Sequence, residues 1–261
     1  MPHNRLIQFM ILFACGVCFL FIIKYCLNLS DYVIPAFMDI MQTARRVGLI
    51  YFKDMLESIL IAIMGHMLSI ILACAIGIVG RLNSWSGELI KAGAYHIQAY
   101  PVVAIAPIIF ILMGDGLIPR LLITSMICYF PLLLTFVGVF TESVTDVEHY
   151  FKVTQKLTWL LEIKIRAYEH RQKILTVIEG SATLAMVGTI VAEFLSADSG
   201  IGYQISIALS QSNMSKVLIA LFLIGLSIAT YLTFLETIHR VYVFDTQTGY
   251  SLKSSTDKLC R

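Results

Sequence analysis

Charge is what this sequence has least of. Only 14% of its 261 residues are Asp, Glu, Lys or Arg, against about 25% in a soluble domain. With 58% hydrophobic residues and a mean hydropathy of +0.81, the chain cannot cover a globular surface with polar groups. The net charge of +2 provides no basic excess for nucleic acid. There is no GxxxxGK[ST] phosphate loop, no HExxH and no GxSxG, so nucleotide binding by that loop, zinc peptidase chemistry and serine hydrolysis lack their motifs. The six histidines show no ligand spacing, so no metal site and no catalytic residue are expected. Cys15, Cys18, Cys26, Cys74 and Cys128 lie in or beside apolar runs and Cys260 near the end, which is not a disulfide framework. Mid-run ionisable pairs of the kind that ion-coupled pumps use are also almost absent.

Long apolar runs are what the chain does have. About 20 apolar residues suffice to cross a bilayer as a helix, and six such spans are expected, near 6–27, 58–80, 95–114, 119–141, 176–196 and 215–235. The fold class is therefore all-α, a polytopic helical membrane protein. Three regions are expected: 1–57, an N-terminal span plus an outer amphipathic segment; 58–235, the core, with one long loop at 142–179; and 236–261, a tail. If the N-terminus is cytoplasmic, 13 of the 19 Lys and Arg residues fall inside and 6 outside or in the first span. The positive-inside rule then places both termini in the cytoplasm.

Small residues and prolines mark candidate contacts within the membrane. Gly65, Ser69, Ala73 and Gly77 recur every four residues, as do Ser181, Ala185 and Thr189, with Gly188 alongside. Such faces either let helices pack closely or line a path. Pro101 and Pro107 can kink a span near a cavity. Pro101, Ala104, Pro107, Ser181, Ala185 and Gly188 are accordingly the candidate path residues.

The loop 142–179 holds 12 of the chain's 36 charges, so it lies outside the bilayer. Leu157, Leu161, Ile165 and Tyr168 recur at helical spacing beside Trp159. An amphipathic segment of this kind either lies on the membrane surface or docks on a partner. At the far end, VAEFLSADSGIGY (191–203) closes an apolar run with Glu193 and a reversal at Gly200 and Gly202. Glu193 is expected near the outer mouth of its span, either capping the turn after Asp198 or serving a gate or a docking surface.

Four segments together, in order and spacing, resemble one family. IPA (34–36), PVVAIAPIIFILMGDG (101–116), YFPLLLTFVG (129–138) and VAEFLSADSGIGY (191–203) resemble the transmembrane permease subunits of bacterial binding-protein-dependent ABC importers. The likeness covers about residues 34–235. The similar branch is the nitrate, sulfonate and taurine type, which includes pyrimidine and thiamine-precursor importers.

This resemblance implies a type I importer permease of the plasma (inner) membrane, moving a small polar solute into the cytoplasm. It implies a second permease subunit, most simply a copy of this chain, and an extracytoplasmic solute-binding protein. Cytoplasmic ATPase subunits would hold the ATP–Mg, leaving this chain without a cofactor. It also implies that the loop docks on the ATPase through a helix–turn–helix, here Lys152, Val153, Thr154, Leu157, Thr158, Trp159, Leu161 and Ile165. The loop departs from the family pattern. Lys152 stands at the usual Glu, Thr158 at the usual turn Gly, and Tyr168 and Gln172 at two usual prolines. Losing the prolines predicts a docking helix that runs on. A degenerate permease or membrane scaffold is the alternative reading.

Overall fold

The computed structural model describes residues 4–98, 100–142, 145–196 and 198–259. Every regular element among them is a helix: α1 (Asn4–Cys26), α2 (Phe37–Gly80), α3 (Ser84–Gln98), α4 (Val102–Met113), α5 (Leu117–Thr141), α6 (Thr145–Val153), α7 (Trp159–Glu169), α8 (Arg171–Ser196), α9 (Ile201–Ser210) and α10 (Met214–Leu259). Five of these, α1, α2, α5, α8 and α10, are long and apolar enough to cross a membrane. The pair α3–α4 makes a sixth span if it is counted as one, bent by 84°. The protein is a multi-pass membrane protein.

Two boundaries differ from the sequence expectation. The third span, 95–114, is not one helix. Tyr100 precedes a proline, which disfavours the helical conformation there, and Pro101 is the extended N-cap of α4 (φ −67°, ψ 112°). The 12 residues of α4 rise only about 18 Å, too short to cross alone. The second span is not separate from the segment before it. The 44 residues of α2 run unbroken through Glu57 and Ser58, about 66 Å in all, so α2 reaches well past an apolar layer of about 30 Å. Its first half is held by packing. Ile40, Ala44, Val47, Tyr51 and Met55 join a cluster with Ile201, Ile205, Ile219 and Ala220 from α9 and α10.

The centre of the bundle is α2, α5 and α8. The small face of α2 is buried against α5. A Cβ on Gly65 would sit 2.5 Å from Thr124 Cγ2, and one on Gly77 would sit 2.9 Å from Phe136 Cβ. From the other side, Gly188 of α8 would place a Cβ 3.0 Å from Thr124 Cα. Close backbone approach brings polar groups together inside the bundle. Thr124 and Thr189 hydroxyls lie 3.0 Å apart, and Ser69 donates to the Ser125 carbonyl at 2.8 Å. His66 lies 2.8 Å from both the Tyr231 hydroxyl and Ser181 Oγ, joining α2, α10 and α8. Helix α1 packs on α10, with Phe9 and Phe13 against Phe222 and Arg5 paired with Glu236.

Candidate functional site

The ion pairs of the described residues gather toward the two ends of the bundle. At one end, α6 and α7 form a helix–turn–helix between α5 and α8. Helix α6 ends where Thr154 turns its hydroxyl back to the Tyr150 carbonyl at 2.9 Å. Gln155 then takes a left-handed conformation (φ +57°), and Lys156 N and Leu157 N both donate to the Phe151 carbonyl. Thr158 is the N-cap of α7, extended at φ −97°, and its hydroxyl accepts from Leu161 N at 3.3 Å. Threonine is a favoured residue at that position. The glycine missing at 158 is therefore not missed, because the left-handed residue lies three positions earlier.

Nor does the docking helix run on, although both prolines are absent. It stops at Glu169, and α8 begins at Arg171 after the single residue His170 (φ −96°, ψ 17°). The cause is tertiary: α7 is drawn back onto the bundle. Arg166, 8% exposed, donates to the Phe140 carbonyl at the tip of α5 and forks onto Glu148 of α6 at 2.6 and 3.1 Å. Glu148 holds the guanidinium above its ordinary range. Arg166 also meets Glu162 at 2.6 Å, and Glu162 pairs with Arg81 at the tip of α2. Of the predicted docking residues, Leu157, Leu161 and Ile165 are half-buried, while Lys152, Val153, Thr154, Thr158 and Trp159 are exposed. Leu160 and Tyr150, which the helical spacing did not single out, are exposed beside them. Nearby, Glu142 is held below the usual carboxylate range by a hydrogen bond from Lys173 and by the neighbouring His170.

At the opposite end Glu193 is fully buried, not at a water-facing mouth. Ser58 Oγ of α2 lies 2.8 and 2.7 Å from its two carboxylate oxygens, and Gly202 N donates to Oε2 at 2.9 Å. Ser58 Oγ in turn accepts from Ile201 N at 2.9 Å. A buried carboxylate needs such partners, and here they are the Ser58 hydroxyl and one free backbone donor of the first turn of α9, Gly202 N, while Ile201 N is taken up by Ser58. Gly200, at φ +95°, makes the reversal that aims them. Just outside, Arg120 of α5 bonds Glu57, Asp198 and Ser199 at 3.0, 2.7 and 3.0 Å. Neither Ser58 nor Arg120 stood out in the sequence, because nothing local links either to Glu193.

The six candidate path residues do not meet. Ser181, Ala185 and Gly188 are buried in the packed centre, whereas Ala104 and Pro107 face outward from α4. Pro101 alone among them borders a groove of about 630 Å³, whose aromatic lining is Tyr100, Tyr129 and Phe130. The α8 residues that complete this groove are the exposed Leu184 and Val187 and the half-buried Val191, one position removed from the small face.

Residues 65–245 match the family described as binding-protein-dependent transport system inner membrane component. The chain is similar to the riboflavin transport system permease protein RibX of Chloroflexus aurantiacus, 25% identical over 146 residues. That alignment covers 56% of this chain and 54% of RibX, so the match spans about half of each. It is also similar to the formylaminopyrimidine transport permease protein ThiX of Halalkalibacterium halodurans, 24% identical over 202 residues, covering 76% of this chain and 79% of the relative. Five apolar helices among the described residues, with α3–α4 as a sixth span if it is counted as one, a helix–turn–helix between α5 and α8, and a family match over most of the length agree: the chain belongs to the binding-protein-dependent transport system inner membrane components, the permease subunits of ABC importers.

Proposed function

We propose that this permease imports a small polar solute, delivered by a solute-binding protein outside and driven by an ATPase that docks on α6–α7. One observation carries the docking assignment. Tyr150, Val153, Trp159 and Leu160 are 64%, 67%, 64% and 49% exposed on a loop too charged to enter the bilayer. Exposed aromatic and aliphatic side chains on a rigid polar mount fit a protein partner. The excess of Lys and Arg at this end supports a cytoplasmic side for it and for both termini. The Glu193 end then faces outward, in a bacterial inner membrane. The ATP–Mg belongs to the partner, and this chain does no chemistry of its own. A second copy of the chain completes the pathway. The two named relatives carry riboflavin and a formylaminopyrimidine by name. A flat nitrogen heterocycle suits the aromatic faces of Tyr100, Tyr129 and Phe130.

Co-purification in detergent with the ATPase from the same source tests the docking reading. Wild type is expected to capture the ATPase, and a Val153→Asp, Trp159→Ala variant to lose it with its own unfolding temperature unchanged. Failure of well-folded wild type to capture the ATPase overturns the reading in favour of a non-transporting scaffold.

A further inference from the structure

Four helices meet at the cluster around Arg166, and each contributes at least one group. Helix α7 supplies the guanidinium itself and Glu162, α6 supplies Glu148, α5 supplies the Phe140 carbonyl, and α2 supplies Arg81 through Glu162. All four charged side chains are largely withdrawn from water: 10% exposed for Arg166 and for Arg81, 13% for Glu148 and 18% for Glu162. Charges held this way tolerate little displacement, because moving one leaves its partner buried and unpaired. The apolar contact of α7 with the core cluster is confined to two side chains. Ile163 and Ala167 are the residues of α7 that pack against the core cluster, while Trp159 and Leu160 point away from it. With no proline or glycine between Val153 and Glu179, backbone stiffness does not set the angle of α7 either. The charges do.

We infer that Arg166 is a positioning residue that joins the docking loop to the tips of α2 and α5, so that the three move as one unit. The inference rests on the docking reading for its purpose, since a partner pushing on α6–α7 would thereby displace the two most central helices. Its geometry stands without a partner. Each link in the chain Arg81–Glu162–Arg166–Phe140 is a charge-assisted contact of the strong kind, and the chain runs from α2 through α7 to α5.

Backbone amide exchange on the full-length protein in nanodiscs tests it, for wild type, Arg166→Gln, Arg166→Lys, Arg81→Gln and the Arg81→Gln, Arg166→Gln double variant. Arg166→Gln is expected to speed exchange about tenfold in α7 and at least about threefold at the α2 and α5 tips, leaving α9 unchanged. Arg166→Lys keeps the charge without the fork and should fall between. Arg81→Gln, on another helix, should speed exchange in α7 as well, and the double variant should be no faster there than Arg166→Gln alone. Acceleration confined to α7 in Arg166→Gln, or fully additive effects in the double variant, overturns the inference. Should Arg166→Gln fail to fold, the response of α7 to Arg81→Gln decides it. Adding the ATPase separates the two claims. Bound ATPase should protect the α2 tip in wild type but not in Arg81→Gln. Absence of ATPase capture by wild type counts against the docking reading alone, and the exchange coupling in the isolated permease still decides the role of Arg166.

Discussion

The carboxylate of Glu193 lies directly over the Cα of Gly200, so that any β-carbon there would collide with it. The same glycine is left-handed at φ +95°. Gly200→Ala therefore meets a clash and a strained backbone together, and is expected to destabilise the protein by about 2–4 kcal/mol. Gly93→Ala, where nothing lies within 4 Å of the new methyl, is the control. It should be neutral or stabilising by about 0.5–1 kcal/mol, as alanine is in a helix. Thermal unfolding in detergent reads both, and equal losses would refute the Gly200 assignment.

The partners of that carboxylate differ in worth. Glu193→Gln keeps an acceptor for Gly202 N and the overall shape, whereas Glu193→Ala opens a void and strands Gly202 N. Ser58→Ala leaves both Glu193 and Ile201 N short of a partner, at a cost of about 1–3 kcal/mol. The expected order of unfolding temperatures is wild type, Glu193→Gln, Ser58→Ala, Glu193→Ala. A Glu193→Ala protein as stable as Glu193→Gln would mean that the hydrogen bonds contribute little.

Close packing of α2 on α5 makes a size prediction. Gly65→Ala should cost about 1–3 kcal/mol, because the new methyl meets Thr124 Cγ2 at 2.5 Å. Thr124→Ser removes that methyl and keeps the hydroxyl that meets Thr189, so the double variant should recover part of the loss. Gly48→Ala, on the open part of α2, should cost nothing. Additive effects of Gly65→Ala and Thr124→Ser in a denaturation cycle would contradict direct contact.

Acid should loosen the junction of α5 with α8. The Glu142 carboxyl is held below its ordinary range by Lys173 and His170. A group with a depressed folded-state value contributes its stability above the unfolded carboxylate range and loses it as pH falls through the folded value. Wild type should therefore lose more thermal stability than Glu142→Gln between about pH 5 and pH 3. Parallel pH profiles would show that the pair does not act in the folded protein.

Much of this was open to a reader of the sequence. Apolar runs announce the spans because a bilayer accepts little else. The stripe Gly65, Ser69, Ala73, Gly77 announces a packed face because its period is that of the helix. What periodicity could not tell was the partner of that face, so packing and path lining were both open until α5 was seen covering it. The groove instead uses Leu184, Val187 and Val191, large residues that resemble any lipid-facing surface. Likewise Trp159 marks the loop, whereas Arg166, one of six basic residues there, carries no local sign of its burial.

By itself the sequence determined the membrane class, most of the crossings, the places of the charged loop and of the turn after Glu193, and the family. Each of these depends on composition or on residues near one another in the chain. Only the tertiary structure decided that α2 runs through without a break, that α7 stops at Glu169, and that Glu193 is satisfied by Ser58, 135 positions away. The physical reason is common to all three. Burial, pairing and helix ends are settled by what neighbouring helices offer, and no local pattern records which helix the neighbour will be.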